Sequence, residues 1–180
     1  MVAESIEERR LAAPASKEKF GAGSEPAYDA ITKFASNVLD VPISILSLVL
    51  KDEHGFKSGH GLDMYNVERA RALCAHVLGT LEPLIVLDAR LDQHVPGAPA
   101  FDGEQELRFF AGVPLVNSSG RPLGVLCIAD TRPREGFDAI AREKLEDLAA
   151  LAATLVEESR TSLPDRAISS FAKVMGLALI

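Results

Sequence analysis

Arg108 to Arg134 reads RFFAGVPLVNSSGRPLGVLCIADTRPR. Its two halves are aliphatic and β-branched, and the polar segment NSSGR between them places Gly120 where a tight turn takes positive φ, so LRFFAGVPLV and PLGVLCIAD are read as an antiparallel hairpin. In an extended chain successive side chains point to opposite faces. Leu123, Val125 and Cys127 then fall on one face and Leu126 and Ile128 on the other. Both faces are apolar, so the sheet built on this hairpin is covered on both sides, by helices or by a ligand pocket.

Working upstream, Ala89 to Glu106 carries Pro96, Gly97, Pro99 and Gly103 among few apolar residues. It exceeds the usual connection of about 4–6 residues and is a candidate binding loop. PLIVLDA, Pro83 to Ala89, is a strand ending in Asp88. Val67 to Leu81 has helical periodicity, and PISILSLVL, Pro42 to Leu50, is a short buried strand. DEHG turns the chain with Gly55 serving the turn, and FKSGHG returns as a weak second strand. Tyr28 to Leu39 is an amphipathic helix with Ile31, Phe34, Ala35 and Val38 on its apolar side.

Downstream, a long helix is expected from Phe137 to Arg160, with Ala141, Leu145, Leu148, Ala152 and Leu155 spaced as a two-heptad seam. A coiled coil wants about three to four heptads, which favours packing on the domain's own sheet. Pro164 breaks the pattern. The apolar tail AISSFAKVMGLALI is expected to bury against the domain, a partner chain or a membrane surface. Residues 1–25 have the small, charged and Pro/Gly-bearing composition of a lead-in, residues 26–160 form one domain, and 161–180 are the tail.

A net charge of −7 argues against a broad electrostatic grip on nucleic acid or an anionic membrane. With 47% hydrophobic residues, 25% charged residues and a mean hydropathy of +0.11, the chain has the composition of a globular domain. There is no secretory leader pattern and no apolar run approaching the ~20 residues of a membrane span. Two cysteines outside CxxC spacing suit a reducing compartment, so the expected location is the cytoplasm.

The chemistry candidates are few. In LCAH, Cys74 shares an apolar helix stripe with Val67, Ala70, Val77, Leu78 and Leu81, whereas His76 lies about 200° around from it. The pair therefore lacks the i, i+4 geometry of helix-borne metal ligands, and no metal site is expected. Cys74 reads as a small core hydrophobe. His76 remains open between a surface residue, a helix-to-loop hydrogen-bond partner and a pocket group. Arg108 and Phe110 fall on one strand face and Phe109 on the other. A cation beside an aromatic surface suits an anionic or planar ligand; the alternative is an ion pair from Arg108 to Asp88, Asp92 or Glu106. Asp130, before TRPR, reads as an Asx-turn acceptor rather than a catalytic acid. No phosphate loop or GxSxG motif is present.

Taken in order, FKSGHGL, LCAHVL, PLIVLDARLD, RFFAGVPLVNSSGRPLGVLCIADTRPR and the final helix resemble the GAF domain, a small-molecule sensor module of signalling proteins, over Pro26 to Arg160. The resemblance implies an α+β fold: an antiparallel sheet of five or six strands, with the N- and C-terminal helices on one face and a ligand pocket on the other. On that layout Cys74, His76, Arg108, Phe110, Cys127 and Asp130 are the pocket candidates. It also implies a non-enzymatic regulatory role, a homodimer through the terminal helices, and an output partner such as a kinase or cyclase. The ligand is not named. The NKFDE pattern of cyclic-nucleotide binders is absent, and bilin binders place Cys directly before His where Ala75 intervenes here, so neither of these specialisations is expected; haem is not favoured either. The alternatives are a ligand-free dimerisation module and an enzyme similar to the free methionine-R-sulfoxide reductases, which use a nucleophilic and a resolving thiol.

Overall fold

The computed structural model describes residues 25–50, 53–63, 66–92 and 106–160. The expected lead-in before residue 25, the middle of the long loop at 93–105 and the tail after 160 lie outside the described residues. The elements are α1 (Pro26–Val38), β1 (Ile43–Leu50), β2 (Glu53–His60), α2 (Val67–Thr80), β3 (Leu84–Val86), β4 (Phe109–Val116), β5 (Pro122–Asp130) and α3 (Ala139–Arg160). The five strands form one antiparallel sheet in the order β2-β1-β5-β4-β3.

The hairpin expected at NSSGR is present, with Gly120 at φ 75°. Asn117 Oδ1 accepts hydrogen bonds from the backbone of Ser119 and Arg121, closing the turn. One face assignment is corrected. The register between β4 and β5 slips where Leu115 faces Gly124 and Val116 faces Pro122. The extra residue is a bulge, which reverses side-chain direction. Leu123 therefore packs with Leu126 and Ile128, while Val125 and Cys127 pack on the opposite side.

A second correction concerns Gly55. Leu50 already pairs with Glu53, and Gly55 lies inside β2 opposite Leu48. The aliphatic run of β1 extends its pairing to the end of the segment, so the strands meet before the glycine is reached.

The helices divide between the two faces as expected. On one, α1 and α3 bury Ile31, Ala35, Leu145, Leu148, Ala152 and Val156 against Leu46, Phe109, Leu126 and Ile128. The hydroxyl groups of Tyr28 and Ser159 hydrogen-bond at 3.1 Å and join the two helices. The heptad-spaced residues Leu145, Leu148, Ala152 and Leu155 are buried in this core, with Ala141 packed at its margin. The seam is therefore used within the domain.

In α1, Pro26 occupies the first turn, where its fixed φ suits a helix start. The buried side is Ala27, Tyr28, Ile31, Thr32, Ala35 and Ser36. It is rotated from the expected stripe, leaving Phe34 half-buried and Val38 36% exposed. The rotation is possible because both buried hydroxyls find partners: Thr32 Oγ1 meets Ser58 Oγ at 3.0 Å, and Ser36 Oγ donates to the carbonyl of Val41. Hydrogen bonding removes most of the cost of burying them.

Candidate functional site

The opposite face of the sheet is covered by α2. Its inward residues, Ala70, Leu73, Cys74 and Val77, keep the middle of the stripe read from the sequence and add Leu73; Val67 and Leu78 are only partly buried, and Leu81, which ends the helix in a left-handed conformation, is exposed. They meet Ile43 and Ile45 of β1, Phe56 of β2, Phe110 of β4, and Val125, Cys127 and Ala129 of β5. Phe110 fits because Gly112 has no side chain. A Cβ at Gly112 would stand 2.8 Å from the Phe110 ring and 3.3 Å from Val77. That glycine sets how closely ring and helix approach.

Cys74 and Cys127 come together in this layer. Both are fully buried free thiols, and their sulfurs are 3.4 Å apart. The sulfur of Cys74 and desolvation by burial push the Cys127 thiol well above its ordinary range. Sequence spacing gave no sign of this pairing, because one residue is on a helix and the other is in the middle of a strand far along the chain.

A polar frame runs along one end of the strands. Asp88 follows β3 and Arg108 precedes β4. Arg108 donates from Nε to Asp88 Oδ1 at 2.6 Å and from Nη2 to Oδ2 at 2.5 Å. The fork holds the Asp88 carboxyl below its usual range, with the backbone N–H of Arg90 assisting, against a smaller desolvation effect. Backbone bonds continue the frame from Ala89 to Arg108 and from Arg108 to Asp130. Asp130, 2% exposed, accepts from the backbone of Arg132 through Oδ1 and from Arg134 Nη2 through Oδ2. The Arg132 contact is the Asx-turn acceptor expected from the sequence.

The six residues singled out from sequence thus fall into two groups and one outlier. Cys74, Cys127 and Phe110 meet in the buried layer. Arg108 and Asp130 lie in the polar frame. His76 is half-buried on α2 away from the thiols, and its carbonyl accepts from the hydroxyl of Thr80.

Three further residues were missed. Asn66, fully buried before α2, accepts the backbone N–H of Leu107 through Oδ1 and donates from Nδ2 to Asp63 Oδ1. It fastens the start of α2 to the chain entering β4. An asparagine before a helix reads as an N-cap, yet here it makes no cap bond. Arg69 Nη1 meets Glu106 Oε2 at 2.8 Å. Arg71, half-exposed on α2, lies 5.5 Å from the centroid of the Phe56 ring. It places a cation beside an aromatic between α2 and β2, the combination the sequence reading had assigned to Arg108 and Phe110.

A GAF domain family model matches residues 24–156. Over 112 residues the chain is 31% identical to a cyclic di-GMP phosphodiesterase of Pseudomonas aeruginosa, a match covering 62% of this chain and 19% of that protein. The chain therefore spans about a fifth of that relative's length. Among solved structures it is similar to the GAF domain of a phosphoenolpyruvate-protein phosphotransferase from Coxiella burnetii, with a TM-score of 0.59, 21% identity, and coverage of 87% of this chain and 90% of that one. It is also similar to a type II free methionine-R-sulfoxide reductase from Thermoplasma acidophilum, with a TM-score of 0.56, 15% identity, and coverage of 75% and 95%. At these identities the likeness concerns the fold.

Proposed function

The chain belongs to the GAF domain family, and on that premise we propose that it is a non-enzymatic sensor or regulatory domain of signal transduction, holding a small molecule on the α2 side of the sheet. The observation that carries the reading is the unequal covering of the two faces: a helix pair closes one, and a single helix, fastened to the chain entering β4 through Asn66 and Arg69, closes the other. Arg71 over Phe56 gives that side a cation and a ring, which suits an anionic or planar ligand. Binding would act by favouring one position of α2 over another. The sensor unit is residues 26–160, with 1–25 and 161–180 as its flanks. Its setting is the cytoplasm and its output a partner such as a kinase or cyclase. Among the described residues no helix is long and apolar enough to cross a membrane.

A thermal-shift screen of anionic and planar metabolites tests this. One class of compound should raise the melting temperature, and Arg71→Ala should remove the rise while leaving the unliganded melting temperature nearly unchanged. A rise that survives Arg71→Ala unaltered would count against this side of the sheet.

Dimerisation without a ligand is the second reading. It is supported by Ala30, Phe34 and Val38, which recur every four residues along α1 and are only partly covered. Light scattering would show a dimer in the wild type and a monomer in Phe34→Glu. Methionine sulfoxide reduction, in contrast, needs a thiolate that substrate can reach. Burial of both sulfurs and the raised Cys127 thiol favour a place in the scaffold.

A further inference from the structure

We propose that Cys74 and Cys127 form an oxidisable dithiol, in which a two-electron oxidant of the hydroperoxide class joins the two sulfurs and staples α2 to the centre of the sheet. Cys127 is flanked by Ile45 on β1 and Gly112 on β4, at the middle of the five strands. Cys74 projects onto it from the inward stripe of α2. The sulfurs must close from 3.4 Å to about 2.05 Å, an approach of about 1.3 Å. A small settling of one helix supplies it.

The other chemistry open to paired thiols is metal binding, and it fits less well. Two Zn–S bonds of about 2.3 Å at a tetrahedral angle hold the sulfurs roughly 3.8 Å apart and require two more ligands. Among the described residues there is no group of three or more His, Cys, Asp or Glu that would hold a metal. A metal would also need volume in a layer where both sulfurs are fully buried. Oxidation removes two hydrogens and leaves no added atom behind.

The reaction balances as follows. One sulfur, as thiolate, attacks a peroxide oxygen; the O–O bond breaks, a sulfenic acid forms, and the departing oxygen takes up a proton and leaves as water from hydrogen peroxide or as the alcohol from an organic hydroperoxide. The second sulfur attacks the sulfenic sulfur, the S–O bond breaks, the S–S bond forms, and a second water leaves. Two electrons pass from the sulfurs to the peroxide, and with hydrogen peroxide both thiol protons end in water.

Burial sets the rate. With α2 closed, neither sulfur meets solvent, and the Cys127 thiol resists ionisation. Oxidation therefore proceeds through openings that lift α2 and admit water and peroxide. The reduced protein keeps those openings, and the disulfide ends them. This requires no small-molecule ligand and stands apart from the sensor reading.

The test uses the full chain, purified reduced and exposed to hydrogen peroxide under native conditions. The wild type should become about 2 Da lighter without gaining oxygen. Proteolysis without reductant should yield one linked pair of peptides containing Cys74 and Cys127, and a phosphine reductant should restore the starting mass. The melting temperature of the oxidised chain should rise by about 10 °C, because the bridge closes a long loop of the unfolded chain. Hydrogen exchange of the α2 amides should slow. Cys74→Ala and Cys127→Ala should each lose the mass decrease. The peptide map of the wild type decides the matter should either variant fold poorly. Gains of about 16 or 32 Da at either cysteine, a disulfide between chains, or thiols that stay reduced when the same chain oxidises in denaturant would each overturn the proposal. A disulfide that leaves the melting temperature unchanged or lower would overturn the staple.

Discussion

The two faces of the sheet are built from the same strands and are packed differently. Against α1 and α3 the strands present Leu46, Leu48, Phe109, Leu126 and Ile128, and two helices answer with Ile31, Leu145, Leu148 and Val156. Against α2 the answering residues are mostly short, Ala70, Cys74 and Val77 beside Leu73, and the helix is tied at its margins by Asn66 and Arg69. One face gains from large apolar burial shared between two helices. The other gains less and depends on fastenings that polar groups supply. A layer of this second kind opens at lower free energy than the first, which is where a sensor places the element that must move.

Matched truncations on the two faces give the largest expected effects. Leu126→Ala, at a fully buried strand centre held between two helices, should cost about 4 kcal/mol or more, towards the top of the range for buried leucines. Leu73→Ala should cost about 2–3 kcal/mol, because a single helix can settle into the space. Urea unfolding of both variants at neutral pH checks the difference. Equal costs would mean that the two faces are equally rigid and would remove the basis for assigning motion to α2.

Much of this layout was legible before any coordinates, for reasons that can be traced residue by residue. The hairpin could be read because NSSGR interrupts two aliphatic runs, and α2 because Ala70, Cys74 and Val77 repeat at helical spacing. The partition of helices between faces came from the family resemblance. Bulges are poorly signalled, so Leu123 was assigned to the wrong face and Gly55 to a turn that the β1 run had already completed. The rotation of α1 was hidden because Thr32 and Ser36 are polar by composition yet buried through hydrogen bonds. At the candidate site, single residues were identifiable but their partners were not. Spacing indicated that Cys74 packs inward; only tertiary contact shows that Cys127 is what it meets. For Arg108, the sequence admits three acids, Asp88, Asp92 and Glu106, and the fork selects Asp88.

That fork yields a smaller effect with a defined pH dependence. Arg108 holds the Asp88 pKa below its unfolded value. The resulting stabilisation is present above the unfolded carboxylate value of about 4 and is lost as pH falls through the lower folded value. Asp88→Asn keeps the shape and removes the charge. At neutral pH it should destabilise by less than Leu73→Ala, and its urea midpoint should fall less steeply than that of the wild type below about pH 4. Parallel acid limbs for the two proteins would mean that the pair contributes nothing to folding and that backbone bonds alone hold this end of the α2 face.

The smallest effects come from two serines of β1 that point to opposite faces. Ser44 and Ser47 are both fully buried. Strand alternation sends Ser44 to the side of Leu46 and the helix pair, where its Oγ has no hydrogen-bond partner among the described residues. Ser47 Oγ donates to the carbonyl of Val125 at 3.4 Å. A buried hydroxyl without a partner costs free energy that its removal returns, whereas removing one end of a long bond loses little. Ser44→Ala should therefore leave the urea midpoint unchanged or raise it by the equivalent of up to about 1 kcal/mol, and Ser47→Ala should lower it by about 0.5 kcal/mol. Should Ser44→Ala prove the more destabilising of the two, the hydroxyl must reach a partner, as those of Thr32 and Ser36 do on the same face.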